Sequence, residues 1–380
     1  MSSDLVIEAV EVWACSLPLS QPLDFGAFQV HERYHTVMRV KTRGGLVADC
    51  VTQSRGSPID VAVADLIAPR VIGRDAGAVL SIGEDLGSSM AALEFDGVIG
   101  RAWSILEVCL QDLRAQSAGC PLWKFLGGDG GTADVQLVEG YALVGEPDEA
   151  FAERLAKRAS EGYPILKIEA AHYTDSSEIL RRLELFRQKS GDATKLVLDF
   201  AWSWKNAKSH LNFVSALQDL GILWIEDPFP RTQVDAYREL REGSGVPVGC
   251  GDEATRADDL YRLIRAGAID QLRTDATTIG GIEAARRLTA EAHARGIGIS
   301  YHEHPEVHEH CAFAFPGVNS VEVFPTDRPF DRVHDLVEEP VFDRVTDGRL
   351  VAQDKPGTGI RLNEEFVRSC AYRSHMVGKG

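Results

Sequence analysis

Basic residues are scarce in this chain of 380 residues, which has 40 Lys and Arg against 57 Asp and Glu and a net charge of -17. A surface of this sign repels the phosphates of nucleic acids and anionic membranes, so both are excluded as partners. Small anionic substrates are not excluded, because a bound metal ion or a lysine can reverse the field inside one pocket. The composition therefore favours a small molecule as the partner.

The sequence also lacks an apolar run long enough to span a bilayer, and no Lys or Arg precedes Arg33, so the basic start of a signal peptide is missing. The cysteines are odd in number and never in C-x-x-C spacing, which argues against a disulfide framework and against a zinc site. We therefore expect a cytoplasmic protein with reduced thiols. The seven cysteines are Cys15, Cys50, Cys109, Cys120, Cys250, Cys311 and Cys370.

The first part of the chain combines strand and helix patterns and predicts an α+β domain at residues 1–128. Apolar and polar residues alternate over residues 5–17 and 35–51, as in paired strands, and the second stretch contains "TRGG", which is typical of a hairpin turn. Helical spacing follows at residues 62–73 and 100–119, and the latter stretch ends in a glycine, a common helix stop.

Beyond a glycine-rich connector at residues 126–131, eight short apolar runs alternate with amphipathic helical patterns. Alternating strands and helices form a parallel sheet, and eight repeats close into a barrel, so we predict an α/β fold with a TIM-type barrel at residues 129–341. A C-terminal segment at residues 342–380 is expected to return to the first domain. A doubly wound open sheet is the alternative, but no G-x-G-x-x-G follows any run. The runs are "VQLVEGYAL", "YPILKIEA", "KLVLDF", "GILWIED", "VPVGCGDE", "IDQLRTDA", "GIGISYHE" and "NSVEVF".

Carboxylates close three consecutive runs, at Asp199, Glu226 and Asp252. Active sites of parallel barrels form at the C-terminal strand ends, so these side chains are expected to converge there. Three carboxylates without Cys or His suit an octahedral Mg²⁺ that keeps positions open for water or substrate. Any one of them could instead cap a helix. Asp227 and Glu253 compete with their neighbours as ligands, although the repeat spacing favours the first set.

Seven short motifs follow one another along the chain: "KIE", "LDFAW", "WIEDP", "GDE", "TDATTIGG", "SYHEHPE" and "VEVF". In this order and spacing they resemble the mandelate racemase subgroup of the enolase superfamily, over nearly the whole chain. The resemblance implies a capping α+β domain, a modified (β/α)7β barrel and one Mg²⁺ per subunit. It also implies abstraction of a proton α to a carboxylate, with Mg²⁺ stabilising the enediolate as a Lewis acid. Self-association is expected from the family, with the copy number open.

Four further residues at strand ends acquire roles from this resemblance. His302 is expected to act as a general acid/base near neutral pH, with Asp275 holding its tautomer and raising its basicity. Lys167 is expected to stabilise the substrate carboxylate. Glu322 matches the family residue that donates a hydrogen bond to the enediolate, which requires a raised pKa in a buried site.

His302 lies in the stretch "YHEHPEVHEH", which has the composition of a zinc site but lacks H-E-x-x-H spacing. Pro305 and Glu306 are expected to open the next helix, where proline and a negative charge are favoured. His304 is undecided between packing and contact with a substrate hydroxyl.

Two positions depart from the family pattern. Glu169 stands where the family often has the second lysine of K-x-K, and it points into the pocket like Lys167 because side chains alternate along a strand. It could be a carboxylate base, a partner that neutralises Lys167, or a residue lost to catalysis. Ala201 replaces a frequent Asn and is expected to widen the pocket, with Trp202 or Trp204 as a wall.

Loops of the capping domain at residues 19–35 and 51–60 are expected to determine the substrate. Their polar side chains could bind hydroxyls or a distal carboxylate, although Arg55 fits a solvated loop charge better. The candidates are His31, Arg33, Gln53, Ser54 and Arg55.

The sequence thus predicts a Mg²⁺-dependent lyase that dehydrates an acid sugar, a mono- or dicarboxylate, to a 2-keto-3-deoxy acid. A racemase needs two matched bases on opposite faces, and the change at Glu169 counts against it. The alternatives are a racemase or epimerase of a hydroxy acid or a proline-like amino acid, and a non-catalytic barrel that keeps the metal site. A structural protein is not expected, since no repeat or low-complexity segment occurs.

Overall fold

A computed structural model describes residues 3–25, 28–141, 146–173, 175–328 and 332–378. Within these residues, strands β1 to β13 are Ile7–Asp24, Gln29–Thr42, Val47–Gln53, Thr132–Val138, Ile165–Glu169, Lys195–Asp199, Ile222–Glu226, Val248–Cys250, Gln271–Thr274, Gly298–Tyr301, Val318–Val323, Arg349–Val351 and Ala371–Gly378. Helices α1 to α13 are Ile59–Ala62, Ala68–Val71, Val79–Ser89, Gly97–Ser117, Leu122–Phe125, Asp148–Ser160, Ser176–Ser190, Leu211–Ala216, Val234–Gly243, Ala257–Arg265, Ile282–Ala294, Pro305–Ala314 and Glu364–Cys370. A π-helical segment, Val63–Ile67, joins α1 to α2. The 3-10 turns are Ser3–Leu5, Ala91–Leu93, Lys208–His210, Gln218–Leu220, Val333–Leu336 and Val341–Arg344. Among the described residues, no helix is both long and apolar enough to cross a membrane.

The first sheet is antiparallel, in the order β13-β1-β2-β3. The "TRGG" segment closes the β2–β3 hairpin, and Gly45 there adopts a φ of 83°, which a residue with a Cβ rarely reaches. Helix α4 packs beside this sheet and buries most of its length. It stops just before Gly119, whose φ of 66° ends the helix. The α+β character predicted for this part of the chain is confirmed.

The second sheet contains β4 to β11, parallel and in sequence order, with β11 paired back to β4. This pairing closes the barrel, so the open doubly wound alternative is wrong. A helix follows each of the first seven barrel strands, α6 to α12, which gives the predicted (β/α)7β arrangement within the described residues. Every residue of β5 is buried, as expected for a strand covered on both faces.

The C-terminal segment contributes a strand to each sheet. β12 pairs antiparallel with β4 of the barrel, whereas β13 pairs with β1 of the capping sheet. The first barrel strand is shorter than its apolar run, because β4 ends at Val138. The run's last two residues, 142–143, lie outside the described residues.

The end of β3 meets the C-terminal face of the barrel. The backbone N–H of Gln53 donates to His304 Nε2 at 3.1 Å. Arg101 of α4 donates to the Gln53 carbonyl at 2.9 Å and to Glu253 Oε2 at 3.0 Å. The capping sheet is therefore fastened to the barrel at the end where the predicted active site lies.

Candidate active site

Three carboxylates from neighbouring strands converge at this face of the barrel. Asp199 and Glu226 end β6 and β7 in register, and Asp252 follows β8. One oxygen from each lies within 4.8 Å of the others, and all three side chains are buried. Buried carboxylates this close repel one another unless a cation compensates. The donor set, all oxygen and anionic, fits Mg²⁺.

The competing carboxylates are already engaged by protein donors. Asp227 accepts hydrogen bonds from the backbone N–H groups of Gly251 and Asp252, at 3.0 and 3.1 Å. Glu253 is bound by Arg101 and by Arg55, whose Nε donates to it at 2.7 Å. These contacts favour Glu226 and Asp252 as the metal ligands.

Lys167 extends from β5 into the centre of the carboxylates. Its Nζ lies 3.0 Å from Asp199 Oδ2, 3.3 Å from Asp252 Oδ2 and 3.2 Å from Glu322 Oε2, and it also pairs with Glu226. Burial acts to lower the pKa of Lys167, but these carboxylates outweigh it and raise the pKa well above its usual range. Lys167 is thus a permanent cation in the site.

A second buried cation, Arg273 on β9, holds the inner side of the same cluster. Its Nε lies 2.8 Å from Glu226 Oε2 and 3.0 Å from Asp252 Oδ1, and its Nη2 lies 2.5 Å from Glu322 Oε2. The other oxygens, Glu226 Oε1 and Asp252 Oδ2, face Lys167. Arg273 therefore orients two metal-ligand candidates by binding the oxygens that point away from the centre.

His302 and Asp275 form a buried pair, with His302 Nδ1 3.4 Å from Asp275 Oδ2. The other ring nitrogen, Nε2, lies 3.8 Å from both Asp252 Oδ2 and Glu303 Oε1, on the cavity side. Burial favours the neutral ring, but the charges of Asp252 and Glu303 and the bond to Asp275 raise the pKa of His302 to about 10. Nε2 is placed to exchange a proton with a molecule in the cavity.

Glu322 differs from the expectation of a protonated hydrogen-bond donor. Its Oε2 accepts from Gln136 at 2.7 Å as well as from Lys167 and Arg273, and its Oε1 accepts from the Glu303 N–H at 3.1 Å. Burial acts to raise the pKa of Glu322, but the two cations outweigh it, and the pKa lies below its usual range. A carboxylate surrounded by donors stays ionised, so the predicted donor role does not fit.

Glu169 shares the cavity side of β5 with Lys167, as the alternation of side chains predicts. Its Oε1 accepts from the Ala171 N–H at 2.8 Å. Burial and the charge of Asp199 raise the pKa of Glu169 well above its usual range. Burial and this neighbouring charge thus favour the protonated form of Glu169, in contrast to Glu322.

Aromatic side chains and arginines form the outer walls of the cavity, whose space free of protein atoms is about 480 Å³ with the part open to solvent included. Arg33 is 2% exposed, and its Nη2 donates to the Tyr141 hydroxyl at 2.9 Å. Arg55 lines the same cavity with a side chain that is 39% exposed and paired with Glu253, so this loop charge is both partly solvated and part of an ion pair. The aromatic wall residues are Phe25, Phe28, Tyr141, Trp202 and Phe324.

Five other candidates lie away from the cavity that the described residues form. Gln53 and His31 line an outer vestibule, which shares Arg33 and Trp202 with the cavity. His304 accepts from the Gln53 N–H, and burial lowers the pKa of His304 to about 3, so it is a neutral anchor for the capping sheet. Ser54 is buried, and Trp204 packs on Phe200 and His210 rather than against the cavity.

Arg273 and Glu303 have site positions that the sequence analysis missed. Arg273 lies on β9, two residues before Asp275, which directly follows the strand, and the alternation of side chains places both on the barrel interior, which is a signal available in the sequence. Glu303 carries no such signal. It faces the cavity because Glu303 and His304 have φ values of 47° and 43°, which break the alternation beyond β10.

The chain matches two family models across most of its length. Residues 8–127 match the mandelate racemase / muconate lactonizing enzyme N-terminal domain, and residues 150–366 match the enolase C-terminal domain-like family. L-talarate/galactarate dehydratase of Salmonella typhimurium strain LT2 is 24% identical over 95% of this chain and 90% of its own length. Muconate cycloisomerase 1 of Rhodococcus opacus is 25% identical over 97% of this chain and 99% of its own.

The fold is also similar to that of a solved structure, L-talarate dehydratase from Polaromonas sp. JS666 complexed with Mg and L-glucarate. The TM-score is 0.86 at 24% identity, with 98% of this chain and 99% of that chain covered. The relatives named here include a cycloisomerase and dehydratases, so similarity alone does not select one reaction.

Proposed function

Because the chain belongs to the mandelate racemase and muconate lactonizing enzyme family of the enolase superfamily, we propose that it is a Mg²⁺-dependent enzyme that removes the proton α to a carboxylate. The observation that carries the proposal is that one buried cavity brings the carboxylates of Asp199, Glu226 and Asp252 together with His302. Held by these carboxylates, Mg²⁺ would supply Lewis-acid stabilisation of the negative charge that develops on the substrate.

The chain's own side chains carry out the proton abstraction. Lys167 binds the substrate carboxylate by charge, because its pKa keeps it cationic. The neutral His302 ring takes the α-proton at Nε2, and Asp275 stabilises the resulting imidazolium through Nδ1. The product of this step is an enediolate.

We favour elimination of water as the following step. The raised pKa of Glu169 makes this side chain a proton donor in the cavity, so it can protonate the β-hydroxyl, which departs as water. The enol that remains tautomerises to a 2-keto-3-deoxy acid. A racemase would need a deprotonated base on the second face, and a protonated carboxylic acid does not serve as one.

The capping side of the cavity favours a sugar acid with a carboxylate at each end. Arg33 is a buried guanidinium at the cavity wall, held by Tyr141, and guanidinium groups bind carboxylates in a bidentate manner. The Salmonella relative is named for talarate and galactarate, and the Polaromonas structure contains L-glucarate, which are all dicarboxylates. These observations support a dicarboxylic acid sugar as the substrate class.

Proton NMR in D₂O tests the proposal, with Mg²⁺-loaded protein and a panel that includes galactarate, L-talarate, L-glucarate, aldonates and simple hydroxy acids. We expect the α-proton signal of at least one acid sugar to disappear as a 2-keto-3-deoxy product forms. Deuterium uptake at the α-carbon without loss of water would instead indicate a racemase or epimerase. Inactivity across the panel, in protein that binds Mg²⁺, would favour the non-catalytic barrel.

Glu169→Gln separates the two proton transfers. Without an acid at this position we expect water elimination to slow by about 100-fold or more, while deuterium exchange at the α-carbon continues through His302. Both rates come from the same NMR experiment. If the rates of deuterium exchange and of water elimination fell equally, Glu169 would take part in proton abstraction. If the elimination rate did not change, Glu169 would only position other groups.

A further inference from the structure

A buried chain of hydrogen bonds connects the capping sheet to the proposed base. The hydroxyl oxygens of Thr52, on β3, and Thr277, after β9, lie 2.8 Å apart. The Thr277 hydroxyl donates to Asp275 Oδ1 at 2.7 Å, and Asp275 Oδ2 lies 3.4 Å from His302 Nδ1. None of the four residues is more than 5% exposed, so this series of hydrogen bonds is largely shielded from water.

The donor at each step follows from the chemistry of the groups. A carboxylate only accepts, so the single hydroxyl proton of Thr277 is used on Asp275. The Thr277 oxygen must then accept from Thr52, which is the donor at the capping end. The backbone fixes both residues, since the Thr277 N–H also donates to Asp275 Oδ1 at 2.7 Å and Thr52 pairs with Thr36 of β2.

We propose that Thr52 is a positioning residue for catalysis, which acts through Thr277 to fix the Asp275 carboxylate and thereby the His302 ring. This inference rests on the proposed role of His302 as the base. Asp275 and His302 come from the barrel, but the Thr52 hydroxyl comes from the capping sheet. Thr52 is 225 residues from Thr277 in the sequence. The capping domain would thus contribute to the proton transfer as well as to substrate binding.

Loss of the Thr52 hydroxyl has a defined consequence for the base. Thr277 would no longer be held by a donor, and its bond to Asp275 would weaken. The Asp275 carboxylate would then be held less firmly, and the His302 ring that it orients would spend less time with Nε2 directed at the substrate. Proton abstraction would slow as a result.

The test compares two isosteric variants, Thr52→Val and Thr36→Val. Thr36 lies directly opposite Thr52, is equally buried, and has a hydroxyl without a hydrogen-bond partner among the described residues. Replacing Thr36 therefore controls for the loss of a buried hydroxyl from the same part of the capping sheet. With the Mg²⁺-loaded full chain and the acid sugar that the wild type converts, we expect Thr52→Val to lower kcat about fivefold at unchanged KM, and Thr36→Val to change neither.

A double variant tests whether Thr52 acts through Thr277. Thr277→Val should lower kcat by more than Thr52→Val, and adding Thr52→Val to it should have no further effect. In parallel, NMR of ¹⁵N-labelled histidine at one fixed pH should show a shifted Nδ1 signal for His302, identified by its absence in His302→Asn, in Thr52→Val and not in Thr36→Val.

Two outcomes would overturn the inference: equal kcat and an equal His302 Nδ1 signal in Thr52→Val and Thr36→Val, or multiplying losses in the double variant. Failure of the proposed function is distinguishable from both. In that case the wild type exchanges no α-proton, and the His302 Nδ1 signal still decides whether the series of hydrogen bonds reaches His302.

Discussion

His302→Asn is expected to lower kcat by about 10⁴-fold and to abolish deuterium exchange at the α-carbon, because it removes the only imidazole that, among the described residues, faces the cavity with one nitrogen and Asp275 with the other. Asparagine keeps a polar group of similar size beside Asp275, so we expect the fold and the Mg²⁺ affinity to be retained. The measurement is the single-turnover rate, with circular dichroism and calorimetric Mg²⁺ titration on the same sample.

His172→Asn provides the matched control, since this histidine packs against Tyr173 and lies outside the described lining of the cavity. It should turn over like the wild type. The wild-type rate should rise with pH, because the imidazole must lose its proton to act as a base and the nearby carboxylates hold the pKa of His302 high. Residual exchange near the wild-type rate in His302→Asn would remove His302 from the mechanism.

The barrel and its metal-ligand candidates were predictable because they depend on local patterns. Eight apolar runs with intervening helical periodicity leave few topologies, and a closed barrel aligns the residues that end each strand. Asp199, Glu226 and Asp252 are therefore brought together by the same regularity that forms the sheet.

Residues beyond the strand ends escape this regularity. The alternation rule places His304 on the same side as His302, yet the positive φ values of Glu303 and His304 turn Glu303 to the cavity and His304 towards β3. The protonation of Glu322 also could not be predicted from its flanking valines. It depends on Arg273, which reaches Glu322 from two strands away.

Contacts between the capping sheet and the barrel were the least predictable part of the site. Arg55 has the sequence environment of a solvated loop residue, and only the fold reveals its partner, Glu253, 198 residues away. Thr52 and Thr277 are ordinary threonines in the sequence, and their contact depends on how the two sheets meet. Side-chain pairs of this separation follow from the packed structure rather than from any local pattern.

Glu226→Gln is expected to lower the Mg²⁺ affinity by at least about 100-fold and to abolish turnover, because it removes one of three anionic candidate ligands from a buried site. The affinity is measured by calorimetry and by the rise in Tm that Mg²⁺ produces. A metal that binds only the folded state raises Tm with concentration, so this rise should be lost at Mg²⁺ concentrations that stabilise the wild type. Removing Mg²⁺ from the wild type with EDTA should abolish turnover in the same way.

Asp227→Asn is the matched comparison, since it changes the adjacent residue in the same chemical manner. Asp227 supports the site from outside by accepting from the Asp252 N–H, so we expect a smaller loss of affinity, about tenfold. A full Mg²⁺-dependent rise in Tm in Glu226→Gln, together with no rise in Asp227→Asn, would reverse the two assignments. Asp227 would then be the ligand, and Glu226 would serve as the partner of Arg273 and Lys167.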